Sequence, residues 1–126
     1  MKLLLDTHTL IWFSLGDARV PHSAVAIIQA ADTEVMVSAV SFYEIAFKRR
    51  HGRMPGGLPT DFRAACVKAG FSLAEITADD AEFAGALPEL HRDPWDRVLV
   101  AQALRRQATL VSKDAELAAY GVATLW

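Results

Sequence analysis

Five acidic side chains occupy positions that a parallel α/β fold would bring to one place. They are Asp6, Glu44, Asp93, Asp96 and Asp114. The first directly follows the apolar run 3–5, and the last follows a second apolar run by two residues. The other three stand at or near the starts of two predicted helices. Because ligands bind outside the carboxyl ends of parallel strands, we expect these five carboxylates to converge at one edge of the sheet.

Such a group of carboxylates predicts a metal site. Carboxylates that lie close together repel one another, and a bound cation relieves this repulsion. Oxygen ligands suit a hard divalent ion such as Mg²⁺ or Mn²⁺ better than they suit zinc. A divalent ion can activate water and stabilise charge on a phosphate group. The pattern therefore predicts a metal-dependent phosphodiesterase or phosphatase.

Each of these acids, considered singly, also has a local structural interpretation. The segment 41–44, Ser-Phe-Tyr-Glu, matches a capping box. Asp93 stands before a proline, as the N-cap of a helix often does. Asp96 and Asp114 would lie near helix N-termini, where the helix dipole favours an anion. Asp6 is different, because it abuts a buried strand, where an unpaired charge is costly.

Length and composition exclude several classes of protein. The chain has 126 residues, of which 52% are hydrophobic, and it carries a formal net charge of −2. This length predicts a single domain, residues 1–126, with a core of its own, and the charge excludes a generally basic nucleic-acid coat protein. The single cysteine, Cys66, is expected to be buried and excludes a disulfide scaffold. No apolar run approaches the roughly 20 residues that span a bilayer, so we expect a cytoplasmic protein without a membrane partner.

Basic side chains favour an anionic substrate. Without the five acids named above, the chain keeps ten acidic residues against 13 lysines and arginines. One cluster is predicted at a helix end and in the following loop, and consists of Lys48, Arg49, Arg50 and Arg53. It forms either a solvated last helical turn or an edge that contacts phosphates. Arg92 and Arg97 bracket two of the acids, and either pair with them or orient a substrate phosphate.

The elements that must position these residues alternate along the chain. Short apolar runs predict strands at 3–5, 35–37, 71–76, 109–112 and 122–125. Helical periodicity, caps and breakers predict helices at 7–15, 24–31, 39–50, 60–69, 77–87 and 94–104, and a short one after Asp114. This alternation predicts an α/β fold, with a parallel sheet of about five strands sandwiched between helices.

Four segments of the chain resemble, in order and spacing, the motifs of the PIN-domain nucleases. They are Leu-Leu-Leu-Asp-Thr-His at 3–8, Ser-Ala-Val-Ser-Phe-Tyr-Glu-Ile at 38–45, His-Arg-Asp-Pro-Trp-Asp-Arg-Val-Leu-Val-Ala-Gln-Ala at 91–103, and Leu-Val-Ser-Lys-Asp at 110–114. The third segment has the form common among VapC-type toxins. The resemblance implies a compact PIN fold and an Mg²⁺- or Mn²⁺-dependent endoribonuclease. It also implies a toxin role, a small cognate antitoxin that blocks the site, and a homodimer.

The resemblance also implies roles for individual residues. Asp6, Glu44, Asp96 and Asp114 match the acidic catalytic quartet of the family. Asp6 and Asp96 are the expected metal ligands, and the other two complete the site. Asp93 belongs to the motif of the subgroup, as a further ligand or as a helix cap. Supporting or substrate-contacting roles are expected for Thr7, Ser41, Arg97 and Ser112, the last of which stands where the family often has threonine.

The mechanism that the resemblance implies is hydrolysis. Water attacks the phosphorus in line, and the products carry a 5′-phosphate and a 3′-hydroxyl. Single-stranded or loop RNA is the expected substrate, because the phosphodiester is most accessible there. Lys48, Arg49, Arg50, Arg53 and Arg92 are the candidate RNA-binding residues.

Four other interpretations remain open at the level of sequence. A metal-free ribonuclease would use two of the four histidines, which are His8, His22, His51 and His91. A haloacid-dehalogenase-like phosphatase needs a second Asp where His8 stands. A response-regulator receiver needs a phosphoacceptor Asp after its third strand, and segment 73–77 has none, although Lys113 suits the lysine of a receiver. A PIN-like module that binds RNA or protein without cutting would not need its acids intact.

Overall fold

Five strands form one sheet in which every neighbouring pair is parallel. The computed structural model describes residues 1–126. The strands are β1 (Lys2–Leu5), β2 (Glu34–Ser38), β3 (Ser72–Ala74), β4 (Thr109–Val111) and β5 (Thr124–Leu125). Their spatial order is β3-β2-β1-β4-β5, so β1 is central. Leu3 of β1 is in register with Val35 of β2 and with Thr109 of β4.

Six α-helices and one 3₁₀ helix connect the strands, and the predicted α/β sandwich is confirmed. The α-helices are α1 (Thr7–Ser14), α2 (His22–Ile28), α3 (Ala39–Arg50), α4 (Phe62–Lys68), α5 (Ala78–Ala86) and α6 (Pro94–Arg105). The 3₁₀ helix covers Ala115–Tyr120. None of these helices is long and apolar enough to cross a membrane.

Two helices differ by two or more residues, at one end or both, from the sequence prediction. Helix α2 begins directly after Pro21 and ends at Ile28, because the amide of Ala30 bonds to the carbonyl of Ile27 and tightens the last turn. Helix α4 begins only at Phe62, because the side chain of Asp61 caps it through the amide of Ala64. Neither difference changes which strands these helices connect.

The central strand is buried on both faces, as its continuous apolar sequence predicts. Leu3 and Leu5 belong to a core cluster that also contains buried side chains of α1, α2 and α4. Leu4 belongs to a second cluster, which also contains Leu99 and Val100 of α6. Each of these leucines is fully buried, and each such burial contributes roughly 1.5–3 kcal/mol. Helices therefore cover both faces of the sheet.

Two buried polar networks fix α6 against its neighbours. The side-chain oxygen of Gln102 accepts a hydrogen bond from Ser38 Oγ at 2.6 Å, and its nitrogen donates to the carbonyl of Glu75 at 3.2 Å. Asp80 of α5 is fully buried and accepts hydrogen bonds from Arg105 and Arg106. Burial alone raises the pKa of Asp80, but the hydrogen bonds from Arg106, the Thr77 amide and Arg105 outweigh it and hold this pKa well below its usual range. These contacts fix the orientation of α6, whose first turn borders the site described next.

Candidate metal and catalytic site

The carboxyl ends of β1 and β4 border a polar cavity of about 190 Å³. No hydrophobic residue lines it. The lining residues are Asp6, Thr7, His8, Glu44, Asp93, Asp96, Ser112 and Asp114. The structure thus brings together all five acids that the sequence placed at this edge. They come from α3, from the start of α6, and from the residues that follow β1 and β4, so parallel topology accounts for their convergence.

Asp6 and Asp114 cap helices and also line the cavity. Asp6 Oδ1 accepts a hydrogen bond from the amide of Thr9 at 2.8 Å, which fixes the start of α1. Asp114 Oδ1 accepts one from the amide of Glu116 at 3.0 Å, which fixes the start of the 3₁₀ helix. Each cap uses one carboxylate oxygen, and the second oxygen makes no hydrogen bond to the backbone. Capping and a role in the site are therefore compatible for both residues.

Glu44 is held by a buried hydroxyl rather than by a helix cap. Thr7 Oγ1 lies 2.7 Å from Glu44 Oε1 and donates to it, and it also lies 3.0 Å from Ser41 Oγ. The interpretation of segment 41–44 as a capping box is wrong, because α3 begins at Ala39 and Ser38 caps it through the amide of Val40. Ser41 is instead buried within the helix. The two hydroxyls therefore orient the Glu44 side chain toward the cavity.

Asp93 and Asp96 mark the N-terminus of α6 in different ways. Asp93 is exposed, and its Oδ1 accepts a hydrogen bond from the amide of Trp95 at 2.9 Å, so it is the N-cap. Asp96 lies in the first turn. Burial, and then the negative charges of Asp93, Asp6 and Glu44, raise the pKa of Asp96 to about 6 despite the opposing effect of His91. Burial is the largest cause of this shift, and the neighbouring carboxylates add to it.

His91 lies at the site although the sequence did not place it among the expected metal ligands. Its Nε2 lies 3.3 Å from Asp114 Oδ2 and 3.5 Å from Asp96 Oδ2. Its Nδ1 lies 3.2 Å from the amide of Asp93, which can donate to it. One ligand atom each from His91, Asp96 and Asp114 lie within 4.8 Å of one another, close enough to hold one metal ion. The sequence did offer one signal for a role of His91 in the site, since His91 lies in the third motif, two residues before Asp93.

The predicted basic residues are only partly free to contact a substrate. Arg97 does not pair with Asp93 or Asp96. It donates to the backbone carbonyls of Ala84, Leu87 and Pro88 at 2.7–2.8 Å, and so holds the end of α5.

Arg49 has a similar structural role, since it donates to the carbonyls of Pro59 and Thr60 at 2.6 and 2.9 Å. By contrast, the side chains of four of the predicted cations make neither an ion pair nor a hydrogen bond within the protein. They are Lys48, Arg50, Arg53 and Arg92.

A larger cavity, of about 610 Å³, lies elsewhere and has a mostly apolar lining. Phe13, Phe62 and Phe71 are among the residues around it, and Cys66 also contributes. Burial raises the pKa of the Cys66 thiol to about 11, so the thiolate needed for nucleophilic catalysis is scarce at neutral pH. The polar cavity is therefore the better candidate for chemistry.

The parallel sheet and the acidic pocket at its carboxyl edge place this chain among the α/β proteins whose ligand sites lie outside the carboxyl ends of the strands. The sequence of this chain matches the PIN domain family over residues 3–123. The chain therefore belongs to the PIN domain family, and the resemblance noted from its four motifs is confirmed.

Relatives and solved structures agree with this family. The chain is 32% identical to Ribonuclease VapC22 of Mycobacterium tuberculosis over 116 residues, which cover 91% of this chain and 88% of that protein. VapBC2 from Rickettsia felis, solved with a DNA fragment from its promoter, matches 100% of this chain and 99% of the other with a TM-score of 0.69 and 14% identity. A toxin–antitoxin complex from Klebsiella pneumoniae matches 98% and 96% with a TM-score of 0.67 and 18% identity. At these identities the two structures show the same fold.

Proposed function

We propose that this chain is the toxin endoribonuclease of a VapBC-type pair and hydrolyses phosphodiester bonds of RNA with Mg²⁺ or Mn²⁺. The observation that carries the proposal is the polar cavity, in which five carboxylates from separate parts of the chain meet. The similarity to a VapC ribonuclease over most of the chain supports RNA as the substrate. The fold shared with solved toxin–antitoxin complexes supports a small antitoxin as partner.

The residues of the cavity fit a hard divalent cation. Asp6 and Asp96 are the proposed principal ligands, and Glu44 and Asp114 complete the set. Asp93 is exposed and serves α6 as its cap, so we give it a supporting role. Burial and, after it, the neighbouring carboxylates raise the pKa of Asp96, and a bound cation would neutralise the charge of these carboxylates. When bound, such a cation activates water and stabilises the negative charge that develops on the phosphate.

The protein itself positions the groups that act on the substrate. Thr7 donates to the carboxylate of Glu44 and holds it in one orientation, and Ser41 in turn contacts the Thr7 hydroxyl. The hydroxyl of Ser112 accepts a hydrogen bond from the amide of Asp114 at 3.1 Å and so fixes the turn that presents this carboxylate. Fixed acidic groups need little rearrangement during the reaction, which lowers its barrier. Lys48, Arg50, Arg53 and Arg92 are proposed to contact RNA phosphates.

The proposed function is tested by cleavage of structured RNAs with purified protein in Mg²⁺ or Mn²⁺ and then in EDTA. We expect discrete cleavage that EDTA abolishes and added metal restores. Asp6→Asn and Asp96→Asn should lose it, whereas the matched control Asp32→Asn, an exposed carboxylate in the turn before β2, should keep it. The products should carry a 5′-phosphate and a 3′-hydroxyl.

Three results would contradict this proposal. A 2′,3′-cyclic phosphate product would exclude attack by water. Cleavage that persists in EDTA would transfer the chemistry to the histidines, such as His8 and His91. No cleavage of any RNA by well-folded protein would favour a PIN-like module that only binds.

The partners are tested separately from the chemistry. We propose a homodimer for the free protein, and light scattering coupled to size exclusion measures its mass directly. Co-expression with the cognate antitoxin should yield a complex that purifies as one species and does not cut RNA. A monomeric mass would contradict the dimer without affecting the proposed hydrolysis.

A further inference from the structure

Four aromatic rings form a continuous row on the surface of α3 and α6, which we term the aromatic row. It consists of Trp95, Tyr43, Phe47 and His51, in spatial order. The ring centroids are 5.0 Å apart between Trp95 and Tyr43, 6.0 Å between Tyr43 and Phe47, and 4.3 Å between Phe47 and His51. Tyr43, Phe47 and Trp95 are 51%, 44% and 36% exposed. Large rings are usually buried when they serve only the core, so this row needs another explanation.

The aromatic row begins beside the candidate site. Tyr43 precedes Glu44 on α3, and Trp95 precedes Asp96 on α6. From Tyr43 the row follows one face of α3, because Phe47 and His51 come four and eight residues later. At 1.5 Å per residue it extends along the helix for about 12 Å. The row therefore leads away from the acidic cavity along a defined path.

Unpaired cations accompany the far end of the aromatic row. Lys48 and Arg50 lie in the last turn of α3 beside Phe47 and His51, and Arg53 lies in the loop that follows. None of the three takes part in an ion pair within the protein. Exposed rings interleaved with free cations match the surface that single-stranded nucleic acids bind, on which bases stack and phosphates meet positive charge.

The charge of the aromatic row suits a single strand of RNA. Lys48, Arg50 and Arg53 place positive charge along one side of the rings without an ion-pair partner in the protein. A polyanion gains from the same cations and also leads its backbone to the cavity. Charge complementarity thus favours RNA as the occupant.

We propose that the aromatic row is a base-stacking platform that holds consecutive bases of single-stranded RNA next to the catalytic cavity. This inference rests on the proposed function and deepens it, because it assigns the unpaired conformation of the RNA to a particular surface. Tyr43, Phe47 and Trp95 provide the ring faces, and Lys48, Arg50 and Arg53 hold the phosphates. Since every base has a ring face, the platform selects unstacked RNA rather than a sequence.

The experiment measures binding without cleavage. A fluorescein-labelled 12-nucleotide RNA of mixed sequence is titrated with the full chain in EDTA, and fluorescence anisotropy gives the Kd. Tyr43→Ala and Phe47→Ala should each weaken binding by about 10-fold, and Tyr43→Phe should retain wild-type affinity. Phe83→Ala is the matched control, because Phe83 is 41% exposed but lies on α5, outside the row. Circular dichroism confirms that each variant is folded.

An oligonucleotide that lacks its bases separates stacking from a general effect on the protein. With an abasic ribose-phosphate chain of the same length, the wild type should bind about 10-fold or more weakly, and Tyr43→Ala should cause no further loss. The proposal would be overturned if Tyr43→Ala weakened the affinity for the normal and the abasic chain equally. It would also be overturned if both alanine variants bound the normal RNA with unchanged affinity. A shift from dimer to monomer in Tyr43→Ala, with RNA binding unchanged, would also overturn it and assign the row to a second copy.

Failure of the stacking proposal can be distinguished from failure of the proposed function. Binding in EDTA does not depend on hydrolysis, so stacking can be demonstrated even if no RNA is cut. Conversely, metal-dependent cleavage with unchanged affinity in the aromatic variants would preserve the nuclease and reject the platform.

Discussion

Replacing one of the proposed metal ligands should stabilise the metal-free protein. Asp96 is partly buried and faces the negative charges of Asp93, Asp6 and Glu44, and the only nearby compensation is His91. Asp96→Asn keeps the shape of the side chain and removes its charge. We therefore expect a variant that is inactive as a nuclease but more resistant to unfolding in EDTA.

The size of this effect follows from the pKa of Asp96. The pKa is raised from the ordinary value of 3.8 to about 6, and each unit corresponds to about 1.4 kcal/mol. The full shift would amount to about 3 kcal/mol, but the side chain is 27% exposed, so solvent screening reduces this. We expect an increase of about 2 kcal/mol in the free energy of unfolding at pH 7.5. For a chain of this length, that raises Tm by roughly 5–10 °C.

The stability gained by Asp96→Asn should depend on pH. Because the folded-state pKa is raised, the folded protein binds the Asp96 proton more tightly than the unfolded chain does. The resulting stability is fully present below about pH 4 and is lost as the pH rises through about 6. The advantage of Asp96→Asn should therefore be large at pH 7.5 and small at pH 4.5.

Thermal unfolding followed by circular dichroism measures both effects. Asp32→Asn is the matched control and should melt with the wild type at each pH. Addition of Mg²⁺ should raise the Tm of the wild type, because it binds only the folded state, and should affect Asp96→Asn much less. The argument fails if Asp96→Asn melts no higher than the wild type in EDTA at pH 7.5, or if its advantage is the same at both pH values.

Three further predictions concern other parts of the chain. Arg106→Leu leaves the fully buried Asp80 with one arginine partner and should cost about 3 kcal/mol in urea unfolding; a loss under about 1 kcal/mol would mean that Arg105 suffices. Thr7→Val removes the hydroxyl that holds Glu44 and should cost about 1 kcal/mol and lower kcat for RNA cleavage, whereas an unchanged kcat would show that this hydrogen bond does not position the carboxylate. Cys66 should react with a thiol reagent at pH 8 roughly 100-fold more slowly than a free thiol, because burial raises its pKa to about 11, and unfolding in denaturant should remove this protection.

The architecture was largely predictable from local patterns in the sequence. The apolar run 3–5 is long enough only for a strand buried on both faces, and β1 is that strand. Pro94 after Asp93 marks a helix start, and α6 begins there. These signals are reliable because they depend on neighbouring residues and on backbone chemistry that any fold must satisfy. The C-terminal end of α2 and both ends of the edge strand β3 carry no such signal, and their predicted bounds were less accurate.

The convergence of the acids was also predictable, because parallel strands with helical crossovers direct their carboxyl ends to one edge. Asp6 and Asp114 follow adjacent strands, and this alone brings them into the same cavity.

Individual side-chain partners depended on the tertiary structure. Ser41 looked like a cap, but the cap is Ser38, three residues earlier. The Ser41 hydroxyl instead meets Thr7, which is 34 positions away in the chain. Arg97 looked like a partner of the neighbouring acids, but the end of α5 presents three backbone carbonyls to it. His91, in the loop before α6, contacts Asp114, which lies 23 positions later in the chain. The sequence by itself determined the order of the elements and the edge at which charge would gather, since both follow from local chemistry and strand direction. Only the packed structure decided which side chains contact one another, because these contacts join segments far apart in the chain.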